Sequence, residues 1–306
     1  MATDKSRSVV GIFILIFVLF VIFMIFAFYT IASLKSTGKA GNSILFDKNK
    51  APIAVIEVNG VIMDSKKTIE LLHTAEKEES IKAIILRVDS PGGAVGPTQE
   101  IYEEILRIDK DKPVYSSFAS VAASGGYYVG AATRKIYSNA GTLTGSIGVI
   151  MQFMDMSKLY EFAKLNPQTI KAGKYKDVGS PFRKMKAEEK KLLDTMIDGV
   201  HRQFIVDILK RRKKRIKGKL TDHAQGQIFS GEEAKKLGLV DEIAGLWEAG
   251  RRIHKDLELE EEFDLRFIKQ KDKVSFIDIL QNVDESLSYV KALIKSGFKP
   301  MMLFNY

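Results

Sequence analysis

Two short glycine-rich stretches hold the residue types that acyl chemistry uses. Ser90-Pro91-Gly92-Gly93 follows an apolar run directly. Its paired glycines admit backbone conformations in which consecutive N–H groups point into a concavity and hold an oxyanion or a phosphate. A plain strand-to-helix turn would use the same residues without any chemistry. In residues 122–128 (AASGGYY) the spacing small-x-Ser-x-Gly resembles a nucleophile elbow with alanine in the first small position. Small neighbours let a sharp turn expose the Ser124 hydroxyl and leave the N–H of the next residue free for an oxyanion. The alternative for Ser124 is a purely structural turn serine.

A serine nucleophile needs a base. The four histidines are His73, His201, His223 and His254, so none falls between Ser124 and His201, and none sits in a recognisable motif. Neither H-E-x-x-H nor a His/Asp/Glu set with ligand spacing is present, so no metal site and no cofactor are expected. The chain has no cysteine, which excludes thiol nucleophiles, disulfides and cysteine-ligated metals. The remaining candidate base is a lysine, which serves when desolvation lowers its pKa enough to supply a neutral amine. Lys171, Lys174, Lys176 and Lys184 share the glycine-containing segment 171–184 (KAGKYKDVGSPFRK). Residue types alone do not choose among them, and a solvated basic loop is the alternative.

These residues need a scaffold. With 306 residues, 45% of them hydrophobic and 28% charged, the chain can build a folded core and is neither a disordered tail nor a disulfide-stapled miniprotein. From Pro52 onward apolar runs rich in β-formers alternate with helical patterns: 52–60, a helix near 65–79, 81–93, a helix at 99–108, then 112–118. That alternation predicts βαβ-type layering. Residues 81–88 are apolar apart from Lys82 and Arg87, as in a strand covered on both faces. Residues 187–215 read as a long helix with Leu192, Leu193, Met196, Val200, Phe204 and Ile208 on one side. Residues 210–219 (KRRKKRIKGK) hold eight basic residues and no acidic one, so they account for nearly all of the net charge of +9. A solvated face is expected there, because positive charge near a helix C-terminus is favoured by the macrodipole; anionic lipid is the next reading and nucleic acid the last. A further apolar stripe at helical spacing runs from Phe276 to Ile294, stopped by Gly297 and Pro300, and is expected to pack on its own body or on a neighbouring subunit.

Residues 9–34 carry no charge over about 26 positions, or about 39 Å as a helix, against a hydrocarbon core of roughly 30 Å. This predicts a retained transmembrane anchor, followed by a short polar stalk at 38–50. The lysines after the span outnumber the basic residues before it, and a literal count would leave the body in the cytoplasm. Long domains translocate largely regardless of that count.

Taken in order, SPGG at 90–93, ASGGYY at 123–128, LTGSIGV at 143–149, KAGKYKDVGSP at 171–181 and GEEAKKLGLVDEIAG at 231–245 resemble the short, single-domain form of the signal peptide peptidase A family. The similarity covers nearly everything from Pro52 to about Gly250. By matching motif it implies Ser124 as nucleophile, Lys176 as general base, Ser146 as the serine that bonds the lysine amine, and the N–H groups of Gly93 and Gly125 as oxyanion hole. It further implies an α/β fold of the crotonase and Clp-protease kind, a spiral of ββα units preceded by the N-terminal membrane helix. The expected division is anchor and stalk at 1–50, catalytic domain at 51–255 and tail at 256–306. The implied activity is that of a membrane-anchored serine endopeptidase with an extracytoplasmic catalytic domain, degrading residual signal peptides. The implied assembly is a homo-oligomeric ring whose active sites are shared between neighbours, with no nucleic-acid partner. Two rival readings are a crotonase-type acyl-CoA enzyme and an inactive membrane scaffold on the same fold.

Overall fold

The structure, a computed structural model, describes residues 17, 19–21, 23, 24, 26 and 51–269. The chain divides into two compact units, Met1–Ala51 and Pro52–Tyr306. In the first, the described residues are helical with exposed side chains. The rest of the expected span 9–34, the stalk 38–50 and the apolar stripe of the tail lie outside the described residues. Among the described residues, no helix is long and apolar enough to cross a membrane.

The second unit is built on three parallel strands, β1 (Ile53–Asn59), β2 (Ala83–Ser90) and β3 (Val114–Ala123). Their alternating side chains feed two separate cores. Ala54, Ile56, Ile84 and Leu86 face one side with the helices α1 (Lys66–Lys77) and α2 (Val95–Ile108), while Ile53, Val55, Ala83 and Ile85 face the other. Because both faces are covered, the strands read as continuous apolar runs in the sequence. Lys112 fixes the connection between layers, its Nζ donating to the carbonyls of Ala75, Glu76 and Glu78 at the end of α1, all at 2.8 Å.

β3 changes partner along its length. Ser116–Phe118 pair with β4 (Ile136–Ser138), and Val121–Ala123 pair with β5 (Leu143–Gly145), after a register shift against β2. Two ladders thus diverge from one strand, and the residue following it, Ser124, emerges where they part. After β5 come the short helix α4 (Ser157–Phe162) and the long helix α5 (Ala187–Arg212). Then follow α6 (Leu220–His223) and β6 (Ile228–Ser230), which pairs antiparallel with β5. The chain continues through α7 (Gly231–Leu237), β7 (Glu242–Ile243) on β4, and α8 (Leu246–Asp256), whose Ala249 and Ile253 complete the second core. Finally β8 (Leu265–Phe267) adds to the free edge of β1, past the boundary expected at 255.

The apolar side of α5 is covered over only part of its length, and one expectation about its basic end needs correction. Leu192 and Met196 are each 47% exposed, whereas Phe204 and Ile208 are buried. Only the second half of the helix packs on the body, so the apolar stripe continues beyond what the described residues cover. The basic run, read as solvated, is half structural. Lys210 pairs with Asp207, Arg211 with Asp109, and Arg212 and Arg215 both with Asp241. Arg212 has no solvent exposure at all. Among the described residues, Lys213, Lys214, Lys217 and Lys219 are the exposed remainder without an ion pair.

Candidate active site

Ser124 caps the short helix α3 (Gly125–Ala131) at φ 52° and ψ −118°, a conformation that a side chain seldom adopts. The turn is tied on both sides: Ser124 N–H donates to the Gly145 carbonyl, and Tyr128 N–H donates to the Ser124 carbonyl, each at 2.9 Å. The strain is therefore held by β5 and by the first turn of α3.

The loop after β2 lies against this turn. Gly92 has φ +106°, and a Cβ there would fall 2.7 Å from the Gly125 nitrogen. Gly93 is strapped to the segment after β1, with Ile62 N–H donating to the Gly92 carbonyl at 2.9 Å and Ala94 N–H to the Ile62 carbonyl at 2.8 Å. A Cβ at Gly125 would lie 3.2 Å from the Gly93 nitrogen, so the two amides are neighbours. Among the described residues neither N–H has an acceptor. Two free amides beside a strained serine are what an oxyanion-binding site requires.

Ser124, Gly93, Gly125 and Ser146 line one cavity of about 560 Å³, whose other walls include Val95, Tyr128, Val149, Ile197, Val200 and Phe204. Ser146 also has a positive φ, 49°, held by its N–H donating to the Gln227 carbonyl at 2.6 Å. Four of the five expected site residues are thus brought together. The fifth, Lys176, is not part of this wall: it sits on an exposed turn between α4 and α5.

The four candidate lysines are nevertheless distinguished. Lys171 is bonded to Asp177, and Lys174 pairs with Glu188. Among the described residues Lys176 and Lys184 have no ion pair. Arg183 braces the segment, bonding Asp177 at 2.9 Å and Glu189 at 2.6 Å. Arg183 and then Lys171 hold the Asp177 carboxyl far below the usual range, and Arg183 with the Lys186 amide brings Glu189 down to about 2. The alternative of a plain solvated loop gives way to an ion-paired, exposed segment that, among the described residues, leaves the Lys176 amine without an ion pair.

Sequence reasoning missed how α5 is joined to the serine turn. Tyr128 packs edge-on against Tyr102 at 5.0 Å and at a tilt against Phe204 at 4.5 Å, and its hydroxyl donates to the Asp207 carboxylate. Tyr102 donates to the Asp207 main-chain carbonyl at 2.8 Å. Burial and the Asp207 carboxylate push both phenols upward, so they remain neutral donors. The ASGGYY motif contains Tyr128, but its partner lies 79 positions away on α5. His201 is the other missed wall residue. The one group of metal-ligand types among the described residues, His73, Glu76 and Glu104, already has Arg107 bonded to both carboxylates.

A layered α/β sheet that ends in a strained serine beside paired amides is an arrangement that acyl transfer can use. The model of Peptidase family S49 matches residues 107–260, and that of Clp protease matches residues 53–145. A Synechocystis sp. protein described as "Putative protease slr0021" is 38% identical over 193 residues, covering 62% of this chain and 69% of its own. The chloroplastic serine protease SPPA of Arabidopsis thaliana is 34% identical over 209 residues, 68% of this chain and 30% of its own. Protease 4 of Haemophilus influenzae is 30% identical over 207 residues, 64% of this chain and 33% of its own. The chain thus spans only about a third of the latter two relatives. It belongs to peptidase family S49, the signal peptide peptidase A family.

Proposed function

We propose that this protein is a serine endopeptidase with a Ser/Lys dyad. Ser124 is the nucleophile, Lys176 the general base, Ser146 the residue that orients the lysine amine, and the Gly93 and Gly125 amides the oxyanion hole. The observation that carries this reading is the strained Ser124 turn beside two amides without acceptors. Neutral Lys176 takes the Ser124 proton as Oγ attacks the peptide carbonyl, the two amides stabilise the tetrahedral oxyanion, and protonated lysine donates to the leaving amine. Water then hydrolyses the acyl-enzyme.

Lys176 comes from a neighbouring copy in this proposal, because the serine cavity of one chain lacks it. Support comes from the exposed segment that carries it: Ile150, Met154, Phe162 and Ile170 are each at least 71% exposed. So much apolar surface between β5 and α5 fits burial against a second protomer, and a head-to-tail contact repeated around a ring supplies it. The substrates are residual signal peptides, met outside the cytoplasm by a catalytic domain that begins at 51, extends through β8 and is tethered through residues 9–34.

Complementation tests the assignment. Ser124→Ala and Lys176→Ala should each abolish peptide cleavage and, for Ser124→Ala, labelling by a fluorophosphonate probe. Random mixing at equal ratio gives each junction about one chance in four of joining an intact serine to an intact lysine, so coexpressed mutants should recover roughly a quarter of wild-type activity. Verified mixed assemblies with no activity would place the dyad within one subunit. Near-normal activity in Lys176→Ala would remove the lysine from the mechanism.

A further inference from the structure

The wall of the cavity that holds Ser124 includes His201, whose buried ring nitrogen has no part in the proposed dyad. His201 lies on α5 in register with Ile197, Val200 and Phe204, all on the same cavity wall. This is the i, i+3, i+4 spacing of one helical face. Ile197, Val200 and Phe204 on that face are apolar, and Asp198, three residues before His201, lines the same cavity. His201 Nε2 is buried and, among the described residues, has no hydrogen-bond partner. A buried ring nitrogen without a partner costs stability, and one on the wall of a substrate-sized cavity is a candidate donor to whatever fills it.

The occupant's chemistry follows from the walls. Val95, Val149, Ile150, Ile197, Val200, Phe204 and the ring of Tyr128 form the apolar part of the lining, beside the polar Thr98, Gln99, Asp198 and Gln225. An extended peptide with apolar side chains suits it, but such a peptide also brings main-chain carbonyls out of water, and each of those needs a donor. Gly93 and Gly125 are committed to the carbonyl under attack in the mechanism above. We infer that His201 is a substrate-positioning residue: its Nε2–H donates to a second main-chain carbonyl of the bound peptide, fixing the chain along α5 while the first carbonyl enters the amide pair. This rests on the reading of Ser124 as a peptidase nucleophile and adds how the peptide is held.

α5 is also joined to the serine turn by contacts that His201 does not share. Asp207, Tyr128 and Tyr102 form that link one and a half turns further along the helix. The position of the helix is therefore set independently of the imidazole, and changes at 201 report on the cavity.

The test compares His201→Leu and His201→Gln in the full-length protein, using a fluorogenic peptide with apolar side chains. Leucine removes the donor; glutamine returns an amide N–H near the Nε2 position. We expect His201→Leu to lower kcat/KM by roughly tenfold, mainly through KM, because a contact to a carbonyl remote from the reacting bond is made equally in the ground and transition states. His201→Gln should recover to within about threefold of wild type. Leucine should leave the melting temperature unchanged or raise it, because it removes an unpaired buried nitrogen. A kcat/KM for His201→Leu within twofold of wild type, or a glutamine variant as impaired as leucine while equally stable, would overturn the assignment. Ser124→Ala is run alongside: if it retains cleavage, the peptidase reading itself has failed. If it is inactive while His201→Leu is normal, only the role of His201 is lost.

Discussion

Gly93 offers the sharpest test of the amide pair. A Cβ at this position would stand 2.6 Å from both the main-chain nitrogen and the carbonyl carbon of Ile62, and closer still to its carbonyl oxygen. Ordinary van der Waals contact begins near 3.4 Å, so Gly93→Ala has to push the loop from the Ile62 strap by about 0.8 Å or more. The obstacle is backbone on both sides, and no side chain can swing away to relieve it. The displaced atom is the Gly93 nitrogen, one of the two proposed oxyanion donors. Misplacing a catalytic group by 1 Å costs about 100-fold, and removing an oxyanion donor outright costs about 100- to 1,000-fold. We therefore expect kcat for Gly93→Ala to fall by at least about 100-fold, with KM changed only a few-fold, because the amide binds charge that exists only in the transition state. Weakening the two strap hydrogen bonds should also cost about 1–3 kcal/mol of stability. Steady-state kinetics on a fluorogenic peptide, paired with thermal melting and circular dichroism, measures all three. Gly96→Ala is the matched control: nothing lies within 4 Å of a Cβ there, so activity should be unchanged and stability slightly raised. A folded Gly93→Ala enzyme retaining a third or more of wild-type kcat would refute the role given to this amide.

Other outcomes follow from the same coordinates. Ser124→Gly should abolish cleavage yet raise stability by about 1 kcal/mol, since glycine accepts φ 52° without strain; a lower melting temperature would contradict the strained turn. Arg212→Met should destabilise by about 3 kcal/mol in urea titrations, because it leaves the Asp241 carboxylate largely buried beside one remaining arginine, and a loss below 1 kcal/mol would show the pair to be dispensable. Asp177 and Glu189 both have folded values depressed below their unfolded ones, so their bracing of the Lys176 segment is fully present above the ordinary carboxylate range and lost as pH falls through the folded values, near pH 2 for Glu189. Limited pepsin digestion should spare residues 171–189 at pH 3.5 and cut them near pH 2, and Arg183→Ala should make them cleavable already at pH 3.5; equal cleavage of both proteins at pH 3.5 would argue against the brace.

The sequence by itself determined the first three strands, the helices between them, α5 and the turn chemistry. Strands covered on both faces must be apolar throughout, so β1 and β2 were readable as runs, and glycine has to stand where backbones meet at the distances seen around Gly92 and Gly93. Local spacing also marked Ser124, because a strained turn needs small neighbours, which are adjacent in the chain. Only the tertiary structure decided what depended on distant partners. That Arg211 and Arg212 are internal struts follows from carboxylates at positions 109 and 241, which no local pattern connects to a basic helix end. That Leu192 and Met196 are left uncovered depends on where α5 meets the body, since the helical period is identical in its packed and unpacked halves. His201 was passed over because it stands 77 positions beyond Ser124 in no motif, yet the fold brings both to one cavity wall. Chain spacing constrains only short-range geometry, and a pocket assembled from β2, β3, β5 and α5 is a property of how those elements pack.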